Sequence, residues 1–463
     1  ALNLIWFRND LRLHANPAIE RAAETNEAAV AVVCLTPQSW SEHDEGVVRM
    51  GFWRARLLAL KAELEQLGIP LRVLEVGHFS GCADALLKLM QELGATRLVC
   101  NQEYPLNERL RDLAVEQALT SAGLQFESLH GELIIPPGEV KTGQGTDFKV
   151  YTPFSRAWRR QLHRFDRPIR AVKEIFPASG VASDEVPEDL GWQPLRHDAE
   201  RWPVDSEAIR ARVYEFVEQR EADYAEKRDF PAVDGTSKLS PYLTIGAVSP
   251  LQLMHVLRNH YKDESWLEGS WLNEIIWREF YRHLLVAFPE LNKLEPFRPE
   301  TEARITWLEN PEGFNAWCRG ETGFPIVDAA MKQLLETGWM HNRLRMVVGS
   351  FLTKLLGVDW RLGEKFFMQN LIDADFPSNL GGWQWSASTG ADAAPYFRIF
   401  NPITQSQKFD AQGEFLAHWL PELANLPAKQ RHLPGAGAEF GRPEPIIDYS
   451  SARKRALDSY NSG

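Results

Sequence analysis

The chain has 463 residues, 44% of them hydrophobic and 25% charged, a globular composition that excludes a disordered or fibrous chain. Its formal charge of −12 argues against a nucleic-acid-binding protein, because such proteins usually carry a basic surface. Four scattered cysteines exclude a disulfide framework or a zinc motif, and the lack of a long apolar run excludes a membrane span, so we expect a cytoplasmic protein.

Short apolar strands alternate with helical patterns over the first 130 residues. The predicted strands are 2–7, 29–35, 71–76, 97–101 and 124–128. The predicted helices are 17–25, 48–67, 83–93 and 107–122. This alternation predicts an α/β domain, with a parallel, Rossmann-like sheet of five strands covered on both faces. No glycine-rich dinucleotide motif follows the first strand, so the fold alone does not indicate a ligand.

A long connector and a helical half follow. Pro, Gly, Ser and Asp are frequent in the later part of residues 132–204, which predicts a connector, and from residue 205 the periodicity is helical almost throughout. The predicted domains are therefore 1–131, 132–204 and 205–463. The last is an all-α domain of about 250 residues, large enough to bury a cofactor.

Charge and tryptophan are unevenly distributed. Residues 151–170 contain six Arg and one Asp, whereas residues 236–463 are close to neutral, so a local basic surface is compatible with the acidic total. Ten of the 16 Trp residues lie between Trp266 and Trp419. A large aromatic core is one interpretation, and the stacking of a flat ligand or of bases, or the transfer of electrons, is the other.

Two segments early in the helical half combine polar and aromatic chemistry. Segment 234–243 (DGTSKLSPYL) supplies hydroxyls and the Lys238 ammonium, and we expect it to cap the following helix, where phosphate can also bind. In segment 271–283, helical spacing places four side chains on one side: Trp271, Glu274, Trp277 and Arg278. This face suits a pocket that stacks a flat group and hydrogen-bonds its edge, with an ion-paired structural helix as the alternative.

Segment 338–346 (GWMHNRLRM) combines an amide, two cations and a soft apolar side chain. Arg343 and Arg345 are two positions apart and point in different directions on a helix, so they should have different partners. We interpret the single histidine of this segment, His341, as structural.

Segment 373–390 begins with two carboxylates, Asp373 and Asp375. No further ligand stands at metal-binding spacing, so we predict no metal. We expect Asp373 to pair with an arginine such as Arg345 or to accept hydrogen bonds from ribose hydroxyls, and Asn379 to reach a ring nitrogen.

Together these segments resemble the DNA photolyase/cryptochrome flavoprotein family, from IWFRNDLRLHANPAI near the start to FRIFNPITQSQKFD. The resemblance covers essentially the whole chain and implies an N-terminal antenna domain and a helical FAD-binding domain. The residues that it assigns to FAD are Tyr224, Thr236, Ser237, Lys238, Leu239, Ser240, Trp271, Arg278, Arg345, Asp373, Asp375 and Asn379. It also implies that electrons pass to the flavin along Trp307 (surface), Trp360 (middle) and Trp383 (inner).

The pocket residues resemble the class I cyclobutane pyrimidine dimer photolyases of bacteria. By that resemblance Trp277 and Trp385 stack the pyrimidines, Glu274 and Asn342 hydrogen-bond their edges, and Met346 fills the floor. The implied reaction is a lyase reaction: photoexcited reduced FAD (FADH⁻) gives one electron to a flipped-out dimer, the cyclobutane ring splits, and the electron returns.

Two alternatives remain at this point, and the pocket residues argue against a third. An enzyme for the 6-4 photoproduct is expected to carry a His pair in the pocket, which His341-Asn342 is not. A cryptochrome-type blue-light photoreceptor would bind partners without repairing DNA. An ordinary flavin oxidoreductase would turn over in the dark, and the missing dinucleotide motif argues against it.

The resemblance also implies a second chromophore and a DNA surface. The antenna residues are His43, Asn107, Glu108 and Lys293, which favour 5,10-methenyltetrahydrofolate, with 8-hydroxydeazaflavin or FMN as alternatives. The expected partner is UV-damaged DNA, bound by a monomer without an obligate protein partner. The expected phosphate contacts are Arg228, Arg278, Arg343, Arg398 and Gln405, with Arg156, Arg159 and Arg160 further out.

One stretch of the flavin segment departs from the bacterial pattern. Phe376-Pro377 and Leu380 stand where bacterial relatives more often have Leu-Ala and a second Asn. We expect Pro377 to affect the start of the local helix and, with it, the tuning of the flavin.

Overall fold

Five parallel strands form the sheet of the N-terminal part in the computed structural model, which describes residues 1–462. The strands are β1 (Leu2–Trp6), β2 (Ala28–Leu35), β3 (Leu71–Glu75), β4 (Arg97–Asn101) and β5 (Gln125–Leu129). Their order is β3-β2-β1-β4-β5, and Ile5 of β1 pairs with Ala31 on one side and Val99 on the other. The predicted parallel sheet is confirmed, and each predicted strand end lies within one residue of the observed one.

Helices cover both faces of this sheet because βαβ crossovers place them there. They are α1 (Pro17–Glu24), α2 (Pro37–Glu42), α3 (Val47–Gln66), α4 (Cys82–Leu93) and α5 (Leu106–Ser121). Leu86 and Met90 of α4 and Val115 of α5 pack with Leu4 and Leu98 of the strands in one buried apolar cluster. The sequence patterns missed α2, which has only six residues.

The predicted connector contains a helix that the sequence analysis did not identify. Helix α6 (Tyr151–Gln161) lies within residues 132–204 and buries Tyr151, Phe154 and Trp158. These residues recur at intervals of three and four, the spacing of a buried helix face. The sequence analysis predicted only a connector here, because the frequent Pro and Gly around the helix obscured its periodicity.

A buried carboxylate links α6 to the segment that follows the sheet. Glu279 accepts hydrogen bonds from the backbone N–H groups of Ile134 (2.8 Å) and Ile135 (3.1 Å) and from Trp158 Nε1 (2.8 Å). Burial raises the pKa of Glu279, and the three donors oppose that effect. The carboxylate thus accepts from two backbone N–H groups of a segment that belongs to no strand or helix.

The rest of the chain is helical. The helices are α7 (Ser206–Gln219), α8 (Tyr224–Lys227), α9 (Ser240–Thr244), α10 (Pro250–His260), α11 (Ser270–Ala287), α12 (Pro299–Glu302), α13 (Pro311–Arg319), α14 (Pro325–Thr337), α15 (Asn342–Ser350), α16 (Trp360–Asn370), α17 (Phe376–Ser386), α18 (Pro402–Phe409), α19 (Glu414–Trp419), α20 (Ala428–Arg431) and α21 (Tyr449–Asn461). A π-helical turn, Phe351–Leu355, continues α15. This bears out the predicted α/β part followed by a helical part.

The contacts divide the chain into two units. The first unit comprises Ala1–Gln219 and Ser237–Pro289, and the second comprises Arg220–Thr236 and the residues from Glu290 onward. These units do not coincide with the three predicted domains, whose bounds stay a prediction. Across residues 1–462, no helix combines the length and the apolar character that crossing a membrane requires.

Candidate active site

The predicted site residues belong to both units. The first unit contains Ser237, Lys238, Leu239, Ser240, Trp271, Glu274, Trp277 and Arg278. The second contains Tyr224, Thr236, Trp307, Asn342, Arg345, Met346, Trp360, Asp373, Asp375, Asn379, Trp383 and Trp385.

Helix α11 of the first unit presents two of the predicted lesion contacts. Glu274 and Trp277 lie one turn apart, and both are half-buried. The Trp277 indole stacks on the Tyr151 ring, with ring centroids 3.8 Å apart and planes within 4°. Trp271 is instead buried against Phe216, with centroids 5.0 Å apart. Sequence spacing alone did not distinguish the buried Trp271 from the half-buried Trp277 on the same helix.

Arg278, on the same helix, is engaged with the chain near Glu132. Its Nη1 donates to the Glu132 carbonyl oxygen at 3.3 Å, and its Nη2 lies 3.6 Å from the Glu132 carboxylate. Only 11% of the Arg278 side chain is exposed. Its contacts with FAD and with DNA stay predictions, and either contact would have to compete with the interaction of Arg278 with Glu132.

The segment before α9 differs from the expected cap. The residue preceding the helix is Leu239, and no side chain caps the helix. Ser237 Oγ accepts from the Leu239 N–H at 3.3 Å, upstream of the first turn. The expectation of a side-chain cap was wrong, because the hydroxyl stabilises the turn that leads into the helix. Lys238 has a φ of +53°, a left-handed conformation that costs a non-glycine residue free energy and is frequent at ligand sites.

In the second unit, a histidine fixes the start of α15. His341 Nδ1 accepts a hydrogen bond from the Arg343 N–H at 3.2 Å and so caps the helix. Burial lowers the pKa of His341 to about 4, which keeps the imidazole neutral, as this acceptor role requires. The structural interpretation of His341 is confirmed. Asn342 is exposed and Met346, one turn later, is half-buried, so one side of the helix presents an amide and a thioether.

The two arginines of α15 have different partners, as predicted. Arg343 donates to Asp229 at 3.1 Å and lies over the Phe409 ring at 4.4 Å. Arg345 Nη2 donates to Asp373 at 2.8 Å, which confirms the predicted Arg345–Asp373 pair. Its Nε donates to a backbone carbonyl at 2.7 Å, so the guanidinium is held in one orientation.

Helix α17 begins normally in spite of Pro377. Asp375 caps the helix by accepting from the Ser378 N–H at 3.3 Å, and Pro377 lies in the first turn, where no backbone donor is needed. The expected disturbance of the helix start is therefore absent. One turn later, Asn379 Nδ2 donates to the Glu364 carbonyl oxygen at 3.0 Å, which leaves its Oδ1 as the acceptor that the residue can offer.

The three predicted electron-transfer tryptophans all belong to the second unit and differ in exposure. Trp383 and Trp360 are buried, and Trp307 is half-buried. Trp360 Nε1 donates to Glu302 at 2.7 Å. A Cβ built on Gly363, one turn after Trp360, would lie 2.2 Å from the Trp383 ring, so that indole rests directly on the backbone of α16.

Comparison with known proteins identifies the family of this chain. Residues 3–174 match the family model described as DNA photolyase, and residues 271–462 match the model described as the FAD binding domain of DNA photolyase. The chain is 44% identical to the deoxyribodipyrimidine photo-lyase of Salmonella typhimurium, over 99% of this chain and 98% of that protein. The chain belongs to the DNA photolyase family. The similar enzyme of Escherichia coli is 43% identical over the same shares of the two chains.

Solved structures of the family agree with the fold. A bacterial class III photolyase from Agrobacterium tumefaciens has a TM-score of 0.80 and 34% identity, over 99% of this chain and 97% of that one. A cryptochrome from Synechocystis has a TM-score of 0.86 and 27% identity, over 99% of both chains. Since the fold matches both a photolyase and a cryptochrome, it does not discriminate repair from signalling.

The second unit offers groups that fit the FAD of this family. Asn379 presents a carbonyl oxygen suited to a ring N–H, and the oriented Arg345 presents a cation suited to a phosphate or a carbonyl. FAD fits these groups.

Three of the four predicted antenna residues come together in the first unit. His43 Nε2 lies 2.9 Å from Asn107 Nδ2, and His43 Nδ1 lies 3.7 Å from the Glu108 carboxylate. Burial raises the pKa of Glu108 to about 7. Lys293, the fourth, belongs to the second unit and is exposed.

A second polar region of the first unit lies where parallel sheets of this type usually bind ligands. The chain crosses from β3 to β4, so the switch point lies between β1 and β4. A cavity of about 20 Å³ opens there, lined by Asp10, Arg12, Asn101, Glu103 and Arg278 among others. This volume holds about one water molecule rather than a ring system.

The predicted DNA contacts differ in how freely they are presented. Arg398 is exposed, Arg228 and Gln405 are half-buried, and Arg343 is paired with Asp229. On α6, Arg156 and Arg160 are exposed. Over residues 1–462, the structure contains no group of three or more His, Cys, Asp or Glu arranged to hold a metal ion.

Proposed function

We propose that this protein repairs cyclobutane pyrimidine dimers in DNA in a light-dependent reaction, as a class I photolyase. The observation that carries the proposal is the pairing of Glu274 and Trp277, one turn apart and half-buried on α11. A presented indole and a carboxylate suit the apolar face and polar edge of a pyrimidine. Full-length similarity to proteins named deoxyribodipyrimidine photo-lyase supports the same function.

The side chains of this protein would bind and orient the dimer. Trp277 and Trp385 stack on the pyrimidines, the Glu274 carboxylate accepts from a ring N–H, and the Asn342 amide donates to a ring carbonyl. Since negative charge develops on that carbonyl oxygen during ring splitting, the Asn342 contact strengthens as the reaction proceeds. When bound, reduced FAD supplies the electron under light and takes it back after the ring has split.

FAD would be held through side chains of the second unit. In the second unit, Arg345 and Asp375 would contact its polar parts, and the Asn379 carbonyl oxygen would face the flavin edge. The hydrogen bond from Asn379 to Glu364 supports this orientation, because it commits the amide nitrogen elsewhere. The tryptophans Trp307, Trp360 and Trp383 would carry electrons inward.

The antenna would be 5,10-methenyltetrahydrofolate. The cluster of His43, Asn107 and Glu108 supports a ligand with ring N–H and amine groups, which these acceptors can bind. An archaeal photolyase from Sulfolobus tokodaii is described as containing two FAD molecules, so a flavin antenna is one alternative. An 8-hydroxydeazaflavin antenna is the other. Mass spectrometry of the released chromophore would identify it.

Damaged DNA would be the partner of a cytoplasmic monomer, with Arg228, Arg398 and Gln405 contacting phosphates. The free state of all four cysteines, none of which forms a disulfide, is compatible with a reducing compartment. A cryptochrome-type photoreceptor is the second candidate, because the Synechocystis cryptochrome matches the fold as well.

Light-dependent repair separates the two candidates. Reduced protein is mixed with a duplex that contains one thymine dimer, and the recovery of base absorbance is followed under blue light and in the dark. We expect recovery in the light only, and we expect Trp277→Ala to weaken the affinity for this duplex by about tenfold or more, because stacking stabilises a bound base by ~1–3 kcal/mol.

Glu274→Ala should also lower repair, whereas Glu268→Ala, an exposed carboxylate just before α11, is the matched control and should not. No recovery in the light by the wild-type holoprotein, together with normal photoreduction of its flavin, would favour the photoreceptor.

A further inference from the structure

Trp277 is covered on one face by an aromatic ring from α6. Tyr151 is the first residue of that helix, is 6% exposed, and stacks on Trp277 with centroids 3.8 Å apart. Trp277 remains half-buried despite this cover. The buried ring therefore lies on the protein side of the indole, and the opposite face of the indole is the one left to receive a ligand.

Tyr151 is itself held in place through the helix that carries Trp277. Its hydroxyl donates to the Asn273 carbonyl oxygen at 2.9 Å and also contacts the Asn273 side-chain amide. Asn273 lies one turn before Trp277 on α11. The tyrosine is thus tied to the same helix at two points, one hydrogen-bonded and one stacked.

Two further rings of the same helix lie close to the indole. Phe280 meets Trp277 edge-on at 5.8 Å, and Tyr281 lies 5.6 Å away at an angle of 36°. With Tyr151 on one face, three aromatic neighbours fix the rotamer of Trp277. A side chain already fixed loses less conformational entropy when a ligand binds.

We propose that Tyr151 is a positioning residue for the lesion: it holds the Trp277 indole in the orientation in which a flipped-out pyrimidine adds as the third ring of a stack. The proposal rests on the proposed repair function. It assigns Tyr151 no contact with the dimer. Its contribution is to the affinity for the lesion and not to the splitting step, since splitting depends on groups that touch the dimer.

The test compares Tyr151→Leu with Tyr151→Phe in the FAD-loaded protein. Leucine removes the stacked ring, and phenylalanine keeps it but loses the hydroxyl. We expect Tyr151→Leu to weaken binding to a dimer-containing duplex by about three- to tenfold, and Tyr151→Phe to stay within about twofold of wild type. Binding to the undamaged duplex, the flavin absorbance spectrum and the repair rate at saturating damaged DNA should not change.

Phe154→Leu is the matched control, because Phe154 is equally buried one turn later on α6 but contacts Phe280 and His283 instead of Trp277. The proposal is overturned if Tyr151→Leu binds the dimer as wild type does, or if Phe154→Leu weakens dimer binding equally. It is also overturned if Tyr151→Leu weakens binding to undamaged DNA to the same degree. A wild-type protein that fails to repair in the light would instead refute the proposed function.

Discussion

At the scale of single residues, Gly363 fixes where the Trp383 indole lies. A Cβ at position 363 would come within 2.2 Å of the indole, far closer than van der Waals contact. We expect Gly363→Ala to lower the free energy of unfolding by about 1–3 kcal/mol, because the ring or the helix must move. Photoreduction of the flavin should slow as well, because the displaced ring is the predicted inner electron carrier. Chemical denaturation and flash photolysis measure the two effects.

A double-mutant cycle isolates the cause. In a Trp383→Phe background the smaller ring leaves room for the alanine, so Gly363→Ala should be less destabilising there than in the wild type. Equal destabilisation in both backgrounds would mean that the indole is not what the new methyl group meets.

The residues that sequence reasoning placed correctly are those whose partners follow from local geometry or simple charge. The different partners of Arg343 and Arg345 follow from a spacing of two on a helix, and the Arg345–Asp373 pair follows from opposite charge. The stack of Tyr151 on Trp277 joins positions far apart in the chain, and no spacing rule reports such a contact. The signal that could have found Tyr151 is the interval of three to four residues at which α6 buries its side chains.

At the scale of elements, the strands were predictable because each is a short apolar run between turns, and buried parallel strands need no polar alternation. Helix α6 was missed although its periodicity is regular, since its charged residues are all arginines and it lies in a segment taken for a connector. The π-helical turn Phe351–Leu355 was not predictable, because all five of its residues are buried and no buried-to-exposed alternation marks the turn.

That π-helical turn places a buried lysine under the chain that follows α17. Lys354 Nζ donates to Ser388 Oγ at 2.8 Å and to the carbonyl oxygens of Arg398 (2.8 Å) and Pro395 (3.4 Å). Burial, with a smaller effect of the Arg398 cation, lowers the pKa of Lys354 to about 7. Among the groups around it, the Tyr460 ring lies 5.7 Å from Nζ, and Arg455 donates to the Lys354 carbonyl oxygen.

This environment predicts a pH dependence of stability. A lysine in the unfolded chain holds its proton up to about pH 10.4, whereas the folded one loses it near pH 7. Because the unfolded state binds more protons between these values, the free energy of unfolding should rise with pH from about 7 to 9. In Lys354→Met this contribution is absent, and urea denaturation at pH 6, 7.5 and 9 should show a smaller rise than in the wild type. Parallel pH profiles for the two proteins would contradict the shifted pKa.

At the scale of the whole molecule, a net charge of −12 does not show which basic side chains lack an acidic partner. Within residues 151–170, Arg167 is paired with Glu20 at 3.0 Å and Arg170 lies 3.6 Å from Glu24. Arg156 and Arg160 are exposed one turn apart on α6 and make no ion pair with the residues that the structure describes. The sequence located the basic stretch, but only the contacts separate its compensated charges from those available to DNA.

We expect these two arginines to contribute to the salt dependence of DNA binding. If each neutralises one phosphate, the double variant Arg156→Gln/Arg160→Gln should reduce the slope of log K against log salt by about 1.8. Fluorescence anisotropy with an undamaged duplex measures this slope. Arg170→Gln removes an equally exposed but paired charge and should leave the slope nearly unchanged. An unchanged slope in the double variant would exclude these two phosphate contacts.

The histidine cap of α15 sets an acid limit on the proposed pocket. Protonation of His341 Nδ1 would convert the acceptor of the cap into a second donor facing the Arg343 N–H. The unfolded histidine takes up its proton from about pH 6.5 downward, so the cap loses its stabilising effect progressively between that pH and about 4. The first two turns of this helix carry Asn342, Arg345 and Met346, which are predicted to contact the lesion edge, the cofactor and the pocket floor. Acidification would therefore disturb substrate and cofactor binding together, through a ring that touches neither.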